Sequence, residues 1–332
     1  FEKLELGTAA TGSYNGAGFT GGYSLTGALT GNSTITNAVA NSTVTIGVTT
    51  GKTLDVVYAD ATGTADVANL VLSSAAALDL DTNADVTFAG VETINITSTD
   101  TNTAAHQNTL DLDVVAATSV VASGNAGLVM VNAGNVAITS FDASGITMAA
   151  VTDSGVTFTS VNVTVGENVT IKGSNGVDAL TGTTAANDTI TGGAGVDTIV
   201  YTGGTDTFTG GAGNDVFDVD ALGTSTVHLT IADLTAGDTI EIAGIDTGTA
   251  TWNATEVTLG ASATLANYLD AAAAGDGSGN SIMRWFEHGG DTYIVNDNTS
   301  GATFAATDAV IEITGSVDLS DSTLATTVLT IV

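Results

Sequence analysis

The chain has 332 residues, with 36 Asp and Glu against four Lys and Arg, a formal net charge of −32, no Cys and no Pro. Such a surface repels phosphate, so nucleic acid and anionic membranes are poor partners, and divalent cations are the natural counter-charge. Without cysteine neither a disulfide framework nor a thiolate zinc site can form, and no apolar run reaches the 18 residues a membrane-crossing helix needs. Average usage would give roughly 16 prolines. Their absence beside 41 glycines fits continuous β-ladders, which need every backbone N–H and need glycine where a turn forces φ above zero.

The chain opens on "FEKLEL", which reads as a segment starting inside a strand, with no charged or apolar leader in view. From Leu4 to about Gly166, short Val, Ile and Thr runs alternate with Gly, Asn, Asp and Ala, as in "NSTVTIGVTTG" and "NVAITSFDASG". These are strand and turn signals. A Thr-Ser or similar unit before an apolar strand recurs at Thr118, Thr139 and Thr159, a spacing that predicts stacked coils of a solenoid.

A stricter beat follows. Asp178, Asp188, Asp197, Asp206 and Asp215 stand nine or ten residues apart, and two positions after each comes an apolar residue: Leu180, Ile190, Ile199, Phe208 and Phe217. The segments "GGAGVDTIV" and "GGAGNDVFD", with "GSNGVDALT" close to them, carry the G-G-x-G-x-D-x-U-x pattern of a calcium-binding parallel β-roll. Glycines free to take left-handed angles curl a short turn so that carbonyl oxygens point inward, and the aspartate adds a hard anionic oxygen. Because each nonapeptide is half a coil, turns on one edge are two repeats apart. Asp178, Asp197 and Asp215 are therefore expected on one edge with Gly173, Gly176, Gly192, Gly193, Gly195, Gly210, Gly211 and Gly213, and Asp188 and Asp206 on the other. Several calcium ions are expected, first on the glycine-rich edge. The opposite edge, where "TTAAN" and "YTGGT" lack the leading glycine pair, is expected to hold weaker or altered sites.

Beyond the repeats, "HLTIADLTAGDTIEIAGID" predicts strand, turn and strand. "SATLANYLDAAAAG" predicts a helix with Leu265, Tyr268 and Leu269 on one face and Gly275 as its stop. "MRWFEHGGDTYIVND" predicts a hairpin turning at Gly289-Gly290, and the chain ends on an apolar strand. Further candidate calcium ligands are Asp79 and Asp81 in "DLDTNAD" and Asp100 and Asn102 in "STDTNT", with Asp111 and Asp113 of the same kind. The first of these segments is no EF-hand: Ala84 and Gly90 stand where glycine and glutamate are required. His106, His228 and His288 are scattered and make no zinc pattern. Neither H-E-x-x-H nor G-x-S-x-G occurs, so no enzyme is expected; a polysaccharide lyase on a β-helix would want a positioned basic residue, and of the four scattered Lys and Arg only Lys172 is near the acidic repeats.

The segments "VETINITSTDTNTAAH", "GNAGL", "ITSFDAS", "TIVYTGGTDTFTGGAGNDVFD", "ATLANYLDAAAAGDGSG" and "WFEHGGDTYIVND" together resemble the carboxy-terminal crystallisation region of Caulobacter-type RTX surface-layer proteins, over essentially the whole chain. The resemblance implies an all-β fold: an irregular parallel β-solenoid lattice region over 1–166, an RTX calcium β-roll over 167–220, and a small cap carrying one helix and a type I secretion signal over 221–332. It also implies calcium-dependent folding outside the cell and self-assembly with identical subunits into a two-dimensional lattice at the cell surface. Export would use the type I secretion machinery, and lipopolysaccharide would be held only through an amino-terminal domain not present here. No nucleic-acid partner and no membrane insertion are expected. The alternative is a calcium-stiffened secreted adhesin or biofilm matrix protein with the same β-roll.

Overall fold

The computed structural model describes all residues except 1, 81–85, 103–104, 165, 185, 223–228, 243–250, 275–281, 298–302 and 306–307. Asp81, His228 and Gly275 lie outside the described residues. The chain is a parallel β-solenoid of two compact units, Phe1–Leu180 and Thr181–Val332.

In the first unit each coil gives one strand to each of two sheets. One sheet runs in the order Leu4–Leu6, Tyr23–Leu25, Thr43–Ile46, Val67–Ser74, Thr93–Asp100, Ser119–Gly124, Ser140–Ile146 and Thr170–Lys172. The other runs Gly12–Asn15, Ser33–Ala38, Leu54–Tyr58, Val86–Phe88, Gln107–Asp113, Gly127–Val131, Ser154–Thr159 and Val177–Thr181. In–out alternation puts one apolar row of most strands inside, as in Val67–Ser74, where Ala68, Leu70 and Leu72 are buried between half-buried neighbours. Parallel stacking then sets like upon like: Leu70 pairs in register with Val44 and Ile96, and Ile94 with Val120. The widest rings close the core where Phe141 and Phe158 stack at 4.0 Å, a contact worth about 1 kcal/mol beyond its buried area.

Coil length varies. Register partners are Leu4 with Tyr23 at the start and Ser140 with Thr170 near the end, because corners between strands range from tight turns to long excursions. The sequence repeat at Thr118, Thr139 and Thr159 is thereby half correct. Ser119 and Ser140 do pair in register, but Thr159 closes a strand of the opposite sheet, and Thr170 takes the place above Ser140. An insertion at the corner between them displaced the true equivalent.

The second unit begins with the same two-sheet plan on a shorter coil. Thr189–Ala194 pairs with Asp206–Ala212 and then Leu229–Ile231; Thr198–Val200 pairs with Val216–Asp218 and then Thr239–Glu241. Ile190, Phe208 and Ile231 from one sheet and Ile199, Phe217 and Ile240 from the other fill the interior, as the D-x-U spacing requires. The parallel plan then ends. Ala309–Ile313 joins Leu229–Ile231 in parallel, but Asp291–Asp297 and Ile282–His288 follow antiparallel, and Val328–Thr330 pairs antiparallel with Thr239–Glu241. The predicted hairpin turns at Gly289 and Gly290, both at positive φ, as a two-residue turn matched to strand twist demands. The predicted helix is Leu265–Ala272, with Thr264 and Asn267 forming a capping box. Its Leu265, Tyr268 and Leu269 pack on Phe286, Tyr293, Val295 and Val310.

Candidate metal centre

In the second unit the aspartates stack in columns. The backbone N–H of Asp188 donates to Asp206 Oδ1 at 2.7 Å, and that of Asp197 to Asp215 Oδ1 at 2.9 Å, each across 18 residues. The expectation that turns on one edge lie two nonapeptides apart thus holds as a hydrogen bond between successive coils. The second column goes on: Asp215 N–H donates to Asp238 Oδ1 at 2.8 Å, across 23 residues. Asp233 accepts both Gly210 N–H and Gly211 N–H, each at 2.8 Å, one on each carboxylate oxygen. Asp233 and Asp238 were not singled out in the sequence, where the longer coil breaks the nine-residue beat. The surviving signal is local, since Ile240 follows Asp238 at the same two-residue offset.

The turns divide by what faces the other carboxylate oxygen. Three are closed by a hydroxyl residue of the same turn. Ser174 gives both its N–H and Oγ to Asp178, whose Oδ1 also accepts Val156 N–H within the first unit. Thr183 gives N–H and Oγ1 to Asp188 Oδ2, and Thr235 does so to Asp238 Oδ2. At Asp197 and Asp215 the corresponding residues are Gly192 and Gly210, and a methyl on either would overlap the aspartate Oδ2. Glycine therefore keeps open, beside an anionic oxygen, the space that a side chain would fill. Asp206 Oδ2 is buried and has no hydrogen-bond partner among the described residues. Its turn lacks the leading glycine pair, yet Gly203 and Gly204 bend it at φ 146° and 100°: the pair stands two positions nearer the aspartate than Gly192 and Gly193 do and still supplies the left-handed bend. Gly193, Gly195, Gly211 and Gly213 also have positive φ, while Gly173 and Gly176 are buried in the Asp178 turn.

All five repeat aspartates are at most 1% exposed. Burial disfavours their charged form and pushes Asp178 up to about 6 and Asp206 up to about 7, with the neighbouring Asp188 charge adding to the latter. Asp215 is raised as well, by burial first and then by Asp238 and Asp233. No Lys or Arg is paired with these columns: the two ion pairs among the described residues are His106 with Asp100 and Lys172 with Asp142. Stacked carboxylates with glycine-cleared space and no cationic side chain suit a hard divalent cation with all-oxygen ligands.

Residues 173–208 and 200–221 match the RTX calcium-binding nonapeptide repeat. RTX repeats bind calcium and are typical of secreted extracellular proteins, so the chemistry read from the turns and the family model agree on the ion. The match covers the beat of the repeat and stops before Asp233 and Asp238. Among curated proteins no match to the chain was found. No helix among the described residues is long and apolar enough to cross a membrane.

The further candidates are dispersed. Asp79 is exposed in the short strand Asp79–Leu80, where its N–H donates to Thr49 Oγ1. Asp100 is buried and accepts Asn102 N–H at 2.7 Å and Ala105 N–H at 3.0 Å, with His106 Nδ1 at 3.6 Å. Asn102 itself donates to Ala75 O. This is a carboxylate folding a corner. Asp111 and Asp113 lie along Gln107–Asp113, and His288 sits edge-on to Tyr268. Among the described residues no three His, Asp or Glu side chains converge in a ready metal cage, so ion binding at the turns depends on backbone carbonyls as well as on the aspartates.

Proposed function

We propose that the chain is a calcium-folded structural protein of the cell exterior that assembles with copies of itself into a surface-layer lattice. The observation that carries the calcium part is the pair of buried aspartate columns, in which the carboxylates of Asp206 and Asp215 each accept the N–H of the coil before and Gly192 and Gly210 clear the space beside Asp197 and Asp215. Asp197, Asp206 and Asp215, with turn carbonyls, would hold the ions; the calcium supplies positive charge where the fold has buried negative charge. Because the ion binds the folded columns and not the extended chain, binding free energy becomes folding free energy. Extracellular calcium modules work at about 10⁻⁴ to 10⁻³ M, so the chain stays open in calcium-poor cytoplasm and closes outside. The lattice part is supported by the resemblance to surface-layer proteins and by a net charge of −32, which opposes contact between copies until cations bridge them.

The test is negative-stain electron microscopy of the purified chain in millimolar calcium and after chelation, with circular dichroism on the same samples. Sheets of regular repeat that dissolve on chelation support the lattice. Monomers that gain β-structure with calcium and never form sheets move the reading to an adhesin or matrix protein.

A further inference from the structure

Outside the repeat, a polar pocket of about 80 Å³ opens on the first unit where the chain leaves the strand Leu54–Tyr58, lined by Tyr58, Asn41, Asp60 and Asp66 among others. Three observations converge there. Tyr58 is only 7% exposed, and its hydroxyl makes no hydrogen bond. The Ser42 hydroxyl lies near it and is likewise buried with no hydrogen bond in good geometry, while burial holds the phenol's pKa above its ordinary value. A buried hydroxyl left unsatisfied is costly, which marks a place where the protein takes something polar from solvent. The corner 59–66 is meanwhile organised around its carboxylates: Thr62 Oγ1 donates to Asp60 Oδ1 at 2.9 Å, Gly63 N–H to Asp66 Oδ2 at 3.0 Å, and Asp66 N–H to Glu92 Oε2 at 2.9 Å. Neither Asp60 nor Asp66 is ion-paired among the described residues.

We infer that this pocket is a separate divalent-cation site, taking calcium through Asp60 and Asp66, with Tyr58 hydrogen-bonding a water on the ion. The donor set is oxygen throughout, with the Asn41 amide at the rim, and contains no sulfur or imidazole, which selects a hard cation. The volume admits an ion together with water, and Ca²⁺ tolerates the irregular, partly aqueous shell that an open corner offers. The site lies in the first unit, apart from the nonapeptide turns, and its occupancy stands or falls without them.

The experiment is equilibrium dialysis of radioactive calcium with the full chain, comparing the wild type with the Asp60→Asn/Asp66→Asn double variant; asparagine keeps an acceptor oxygen for Thr62 and Gly63. The double variant is expected to bind about one ion fewer per chain with an unchanged circular dichroism spectrum. Tyrosine-sensitised terbium luminescence should fall in the double variant and in Tyr58→Phe. Equal stoichiometry in a folded double variant overturns the site, as it would if the pocket held water alone. If the double variant misfolds, the single Asp60→Asn change at an exposed carboxylate decides: about tenfold weaker binding of one ion supports the site, and unchanged binding removes it. Should the repeat itself bind nothing, the total falls in both proteins and the difference between them is untouched.

Discussion

The two units close most of their coils with different side chains, asparagine through the first and aspartate from Asp178, at the end of the first, through the second. Asn135 accepts Val114 N–H at 2.7 Å and donates back to Leu112 O; Asn125 accepts Asp100 N–H at 2.9 Å and donates to Asp100 O at 3.0 Å; Asn175 does both at Met148. Asn108 accepts Leu78 N–H and donates to Ser98 Oγ. A neutral amide carries donor and acceptor together, so each corner is satisfied by the neighbouring coil and needs nothing else. An aspartate at the same task can only accept. It receives the N–H of the coil before it and leaves a charged oxygen that the fold must answer with a hydroxyl, as at Asp178, or with an ion. The same stitching device is thus self-sufficient with asparagine and conditional with aspartate.

Removing calcium should separate the two most sharply. In hydrogen-exchange mass spectrometry after chelation, amides of 181–242 are expected to lose protection by orders of magnitude while those of 33–160 keep theirs. Trp252 and Trp285, the two tryptophans of the chain, both lie in the second unit, so their fluorescence should report the same transition. Uniform loss along the whole chain would break the comparison. Next in size is steric closure of a cradle: Gly210→Ala, whose methyl would overlap Asp215 Oδ2, should weaken calcium binding at that turn at least tenfold and lower the stability of the calcium form by about 1–3 kcal/mol, seen as a higher calcium midpoint in the fluorescence titration.

Exchanging the stitches sharpens the contrast further. Asn135→Asp places an anion at a fully buried corner and deletes the donor to Leu112 O; a loss of about 2–3 kcal/mol is expected, measured by urea unfolding of the first unit. The reciprocal Asp215→Asn should do the opposite without calcium, raising stability, and should lower calcium affinity. A pH series follows from the same charges. The raised folded-state values of Asp178 and Asp206, about 6 and about 7 against 3.8 unfolded, mean that the folded form holds protons the unfolded chain has released. Calcium-free stability is therefore greatest near pH 4 and is lost as pH rises toward 7, and millimolar calcium should flatten that slope. Thermal melts with and without chelator at pH 4.5 and 8 test it. The smallest effect belongs to the cap, where Thr264→Ala removes the hydroxyl that caps Asn267 N–H and should cost about 1 kcal/mol.

How far the sequence could be read tracks this difference between stitches. The nonapeptide beat was legible because an 18-residue coil leaves no slack: every turn keeps its aspartate and the apolar residue two positions on, even where the glycine pair is lost. The helix and the Gly289-Gly290 hairpin were legible for the same local reason, since caps and primed turns are written in adjacent residues. The asparagine column was not. Its members pair across 21 residues at Asn135, 25 at Asn125 and 27 at Asn175, so no fixed period marks them, and an asparagine in a Gly-rich corner looks like any turn residue. Asp233 and Asp238 were hidden by the 23-residue step, and the Tyr58 pocket by the distance between Asn41 and Asp66, which only coiling brings together.

Coil length also sets how the molecule would give under tension. Pulling one 18-residue coil free of the second unit would pay out about 60 Å of chain at roughly 3.3–3.6 Å per residue, and the 23-residue coil that follows would pay out about 80 Å. A calcium-loaded stack would therefore extend in steps set by the length of each coil, each opposed by the ions beside it. A layer built from such units would have an elastic reserve whose step sizes are fixed by coil length and whose stiffness is set by the calcium of the surrounding water.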